Sequence, residues 1–159
     1  EYPSYEAQVQ SRDHLLEKHP DLKFVGAHLG SLEWSVDEMA KRLDKFPNMA
    51  LDFAERVGHV QFQCIENWQK VHDFFMKYQD RIIYGTDLEA NEFEDPDTVK
   101  GRAHELWIRD WKFFTSGDTL QSPLVNGKFK GLRLPASVID KIYYKNAEKW
   151  YLKDKHIIN

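Results

Sequence analysis

Three short apolar stretches, LKFVGA (22–27), MALDF (49–53) and RIIYG (81–85), are separated by segments with helical periodicity and short joints. That alternation constrains the chain more than any other feature. Strands that alternate with helices over short connections pair in parallel, because the crossover helix returns the chain to the same end of the sheet. The spacing therefore predicts an α/β fold, either an open doubly wound sheet or part of a (β/α) barrel.

The helices are marked by their own signals. Ser4 to about Lys18 reads as a helix ended by Pro20, with Tyr5, Val9, Arg12 and Leu16 on one side. Ser35-Val36-Asp37-Glu38 is a capping box, in which the serine caps the first turn and the glutamate reaches back. Val36, Met39, Ala40 and Leu43 then form one apolar face. Ile65, Trp68, Val71, Phe75 and Tyr78 mark the next helix, which Cys64 begins. After Asp87 the pattern changes. NEFEDPDT is an acidic loop, and HELWIRDWKFF (104–114) is an aromatic helix with Trp107, Trp111 and Phe114 on one face. Residues 116–134 are irregular apart from an extended KFKGL piece. Pro135 opens a last helix with Val138, Ile142 and Trp150 inward. No linker divides residues 1–159, so one domain is expected.

Composition excludes several functions. The 22 basic and 26 acidic residues are mixed along the chain, leaving a net charge of −4 and no basic stripe for nucleic acid or an anionic membrane. No apolar run approaches the ~20 residues needed to cross a bilayer. The first ten residues lack the pattern of a signal peptide. The single cysteine, Cys64, cannot form an internal disulfide and is compatible with a reducing compartment. Nucleotide-binding glycine loops, G-x-S-x-G and H-E-x-x-H are all absent.

Two strand ends carry residues suited to chemistry. His28 follows FVGA and is flanked by small residues that allow a ligand to approach. Asp87 follows RIIYGT, at the carboxyl end of a strand where α/β sites form. A carbonyl-satisfied histidine and a turn-capping aspartate are the structural alternatives. Asp52 ends MALDF and stands as a substrate group or a loop cap. Arg56 is a candidate for binding a substrate carboxylate. Trp34, Glu33 and Glu89 are candidate pocket walls. His19, His59, His72, His104 and His156 are read as structural or solvent-facing.

HPDLKFVGAHLGS, KFPNMALD, YQDRIIYGTD and LRLPASVIDKIYYKNAEKWY, in that order, resemble the C-terminal half of amidohydrolase-related proteins. That family consists of metal-dependent hydrolases and decarboxylases on a (β/α)8 TIM barrel. The resemblance implies that the three strands are barrel strands six to eight, with strands one to five absent from this chain. It implies that His28 and Asp87 are catalytic and ligate a divalent metal, zinc or alternatively manganese, and that Asn146 is structural. Two ligands fall short of the three usual at a catalytic metal. The implied reaction is hydrolysis of a lactone, ester or amide by metal-activated water, with a small-molecule substrate. Non-oxidative decarboxylation is the alternative in the same family. A further alternative is a fragment that is inactive alone and forms a homo-oligomer through uncovered edges.

Overall fold

The computed structural model describes residues 2–152; His156 lies outside them. Strands β1 (Phe24–Gly26), β2 (Met49–Asp52) and β3 (Ile82–Ile83) form one parallel sheet in the order β1-β2-β3. Phe24 pairs with Met49 and Gly26 with Leu51, while Leu51 also pairs with Ile82. Met49, Ala50 and Leu51 are all fully buried although alternate side chains point to opposite faces. Both faces of the central strand are therefore covered, as a parallel sheet requires.

Helices α1 (Tyr5–Lys18), α2 (Val36–Lys45) and α3 (Val57–Tyr78) alternate with these strands. Ser4 caps α1 by accepting from the Ala7 amide, and Ser35 caps α2 by accepting from the Glu38 amide. The reciprocal half of the predicted capping box does not form, because the Glu38 carboxylate is held by Arg42 one turn on. Helix α1 buries Val9 and Leu16, while Tyr5 is exposed and donates its hydroxyl to the Ser31 carbonyl. Helix α3 starts at Val57, well before the predicted start, and carries one non-helical residue, Asn67. Cys64 is thus interior to a helix rather than at its start.

Helix α4 (Pro96–Thr115) is capped by Asp95 and has Pro96 in its first turn. Its buried residues are Ala103, Asp110, Phe113 and Phe114, whereas Trp107 and Trp111 are about half exposed. The predicted shared face of Trp107, Trp111 and Phe114 is thereby split. The deeper demand comes from Phe53 and Phe75, whose rings lie 5.4 Å and 5.7 Å from that of Phe114. This cluster joins α4 to the strand and helix layers. The hairpin β4 (Thr119–Leu120) and β5 (Phe129–Lys130) follows, and the latter falls in the predicted KFKGL piece. Short helices α5 (Ala136–Asp140) and α6 (Asn146–Tyr151) flank one π-helical turn at Lys141–Lys145.

The expected barrel is not formed. Among the described residues, the strands make one three-stranded sheet and one separate two-stranded sheet, and neither closes on itself. The reason is visible at the far edge of β3. There the Tyr84 amide donates to the Ile142 carbonyl, 2.9 Å away, so helical backbone from the last segment occupies the position of a next strand. Buried Asn146 fastens the same edge, donating from Nδ2 to the carbonyls of Gln79 (2.7 Å) and Ile82 (2.8 Å). The architecture is an open parallel α/β sheet, and the assignment of its strands to barrel positions six to eight is withdrawn with the barrel.

Candidate active site at the carboxyl ends of the strands

Parallel strands deliver their ends to one side of a sheet, and here each is followed by residues in the left-handed region. His28 has φ 51°, Ala54 and Glu55 have φ 38° and 73°, and Asp87 has φ 51°. Residues with a Cβ avoid this region, and when they adopt it they cluster at functional sites. After β1 the unusual backbone continues through Leu29, Gly30 and Ser31. Two close approaches need glycine. A Cβ on Gly26 would stand 2.8 Å from the Gly30 Cα, and one on Gly85 would stand 2.5 Å from Asp52 Oδ1.

The His28 ring is fixed by its Nδ1, which lies 2.8 Å from the Ala54 carbonyl. A carbonyl only accepts, so Nδ1 carries the hydrogen and a neutral ring keeps its lone pair on Nε2. That nitrogen faces Asp87 Oδ2 at 3.9 Å, and the two side chains are 38% and 48% exposed. Two facing acceptors need a hydrogen donor or a cation between them, and a water that donates one hydrogen to each meets this as well as a charge does. A cation satisfies the pair with the ring neutral, and a proton satisfies it with the ring charged.

Asp52 has both oxygens engaged within the chain. Oδ1 accepts from the Ala54 amide at 2.9 Å and Oδ2 from the Tyr151 hydroxyl at 3.0 Å. Arg56 lies beside two carboxylates, with Nη1 3.2 Å from Glu55 Oε2 and Nε 3.6 Å from Glu33 Oε1. Its buried Nε and the buried Glu33 Oε2 lack a hydrogen-bond partner.

Asp87 opens onto a cavity of about 880 Å³ lined also by Glu55, Thr86, Glu89, Glu94 and Arg102. Arg102 is tied there to Glu94 Oε1 and the Glu89 carbonyl. Glu55 also borders a second cavity, of about 410 Å³, with Arg56, His59 and Phe62. Trp34 stands elsewhere, donating Nε1 to the Tyr5 hydroxyl and lining a cavity of about 120 Å³ with Gln63 and Lys70. Sequence reasoning missed Glu55 and Arg102 and set His59 aside. A positive φ at Glu55 has no sequence signal, and Arg102 arrives from a helix remote in sequence.

Other ionisable residues lie deep in the fold. Burial pushes the Cys64 thiol up to about 12, which leaves it protonated at neutral pH. Asp110, almost fully buried, is raised by desolvation, although Arg109 Nε at 2.9 Å and the Tyr84 hydroxyl at 3.1 Å oppose the shift.

The family model described as Amidohydrolase matches residues 4–153. The chain belongs to the amidohydrolase family. The match covers nearly the whole chain, which corrects the expectation of likeness to a C-terminal portion only, and the partial-barrel reading falls with the two unclosed sheets among the described residues. No curated protein and no solved structure matches the chain. Among the described residues, no helix is long and apolar enough to cross a membrane. No group of three or more His, Cys, Asp or Glu side chains is placed to hold a metal ion among them. His28 and Asp87 fit a divalent cation in kind, as an imidazole with its lone pair free and a carboxylate, and supply two donors.

Proposed function

We propose that this chain is a metal-dependent hydrolase whose working pair is His28 and Asp87. One observation carries the reading: the free Nε2 lone pair of His28 faces the Asp87 carboxylate across 3.9 Å at the mouth of the sheet. Membership of the amidohydrolase family supports hydrolysis as the reaction class. Nε2 and Oδ2 would hold a divalent cation, zinc or alternatively manganese, with the remaining positions left to water and substrate. When bound, that ion would lower the pKa of water toward ~7.

The chain's own side chains supply the rest. Asp87 accepts the proton of the attacking water, whose oxygen adds to the carbonyl carbon of the substrate. The C–O or C–N bond then breaks, and the proton held by Asp87 passes to the leaving group. Ala54 keeps the His28 ring oriented throughout. The cavity of about 880 Å³ beside Asp87 is of a size for a small-molecule substrate. Arg56, on the neighbouring cavity of about 410 Å³ that shares Glu55 with it, is the candidate to orient a substrate carboxylate. Trp34 would meet only a substrate reaching its separate surface.

Calorimetric titration with Zn²⁺ and Mn²⁺ tests the metal part of this reading. One site per chain is expected, lost in His28→Ala and in Asp87→Ala. Equal binding by the wild-type protein and both variants would refute it.

A further inference from the structure

Asp52 reaches His28 through one residue, Ala54, whose N–H and C=O belong to two successive peptide units. Its Oδ1 accepts from the Ala54 amide, and the carbonyl of the same residue accepts from His28 Nδ1. Its Oδ2 accepts from Tyr151 in α6, which fixes the carboxylate at its other end. Space for the carboxylate exists because residue 85 has no Cβ; an alanine there would meet Oδ1 at 2.5 Å. Three separate parts of the chain thus converge on Asp52: the β2 turn, the residue after Tyr84 and the C-terminal helix. The turn they hold has φ 38° at Ala54 and 73° at Glu55, a conformation that side-chain-bearing residues leave when released.

We infer that Asp52, latched by Tyr151, is a positioning residue that sets the tautomer of His28 by holding the Ala54 carbonyl against Nδ1. The carboxylate acts on the imidazole without touching it. With the turn at Ala54 held, the ring hydrogen stays on Nδ1 and the lone pair on Nε2 faces Asp87. With the turn released, the Ala54 carbonyl leaves Nδ1 and the neutral ring distributes between its tautomers. The catalytic consequence rests on the metal-dependent reading above, because only there does the Nε2 lone pair have work to do. The tautomer itself is a property of the metal-free chain.

Nitrogen-15 NMR of the imidazoles, with His28 assigned by loss of its signals in His28→Ala, reads that tautomer directly. Metal-free protein is used at a pH where the ring is neutral. A hydrogen bond of ordinary strength favours the Nδ1–H form by about fivefold or more in the wild type. Asp52→Ala is expected to bring the ratio below about twofold. Asp52→Asn should retain it, since the amide oxygen still accepts from Ala54. A wild-type ratio in Asp52→Ala overturns the inference, because a merely structural aspartate would lower the melting temperature and leave the tautomer alone. If Asp52→Ala does not fold, Tyr151→Phe decides. A reduced ratio upholds the latch, and an unchanged one overturns it. Failure of metal binding with the tautomer shift intact would count against the proposed function alone.

Discussion

The Asp52 carboxylate fills the space that a side chain at Gly85 would need: a Cβ on the glycine would lie 2.5 Å from Oδ1 of the aspartate. The two sit at the ends of neighbouring strands, and the missing side chain of one admits the carboxylate of the other. Gly85→Ala should therefore push Asp52 away from the Ala54 amide and cost about 1 kcal/mol, the low end of overpacking because both residues are only partly buried. Urea denaturation measures it. In an Asp52→Ala background the same substitution should cost much less, and the double-mutant cycle isolates the clash.

Cys64 is buried in α3, and its thiol is pushed up to about 12 by desolvation. The thiolate is the reacting species, so the native protein should resist a disulfide reagent at neutral pH. Modification is expected to follow unfolding, with a rate that rises in denaturant. Rapid stoichiometric labelling of the folded chain would contradict this placement.

Asp110 makes stability depend on pH in a stated direction. Its pKa in the folded chain is raised by burial, so the folded state binds the proton more tightly than the unfolded state. That contribution is fully present below the unfolded carboxylate value near ~4 and is lost as pH rises through the folded value. Asp110→Asn, which keeps an acceptor for Tyr84, should remove this part of the decline. The difference in melting temperature between wild type and variant, followed upward from about pH 4, is the measurement. No change in that difference across the window would rule out the titration.

Much of the fold was legible in sequence because it depends on local periodicity and caps. Ser4, Ser35 and the apolar stretches at 24, 49 and 82 mark elements that the structure contains. Barrel closure was not legible, because it depends on what occupies the edge of β3, and that is the Ile142 carbonyl, sixty residues away in the helical C-terminal segment. The face of α4 was misjudged for a related reason. Trp107 and Trp111 look more apolar than Asp110, yet Asp110 is buried because Tyr84 and Arg109 satisfy it.

The candidate site divides in the same way. His28 and Asp87 stood out in the sequence as polar residues at apolar strand ends, and the structure places them 3.9 Å apart. The engagement of Asp52 by Ala54 and Tyr151 could not be foreseen, since it depends on a left-handed turn and a helix far along the chain. Arg102 and Glu55 were hidden because a cavity wall assembled from α4 and that turn has no spacing rule in sequence.

The central claim is that the His28–Asp87 pair performs hydrolysis, and turnover by the wild-type chain and Asp87→Asn measures it most directly. A panel of esters, lactones and amides is assayed with Zn²⁺ or Mn²⁺ and again with chelator. Metal-dependent hydrolysis of at least one substrate by the wild type is expected, lost on chelation and reduced at least ~100-fold in folded Asp87→Asn, the lower range of a general base's contribution. Wild-type rates in that variant, or hydrolysis indifferent to chelator, would contradict it.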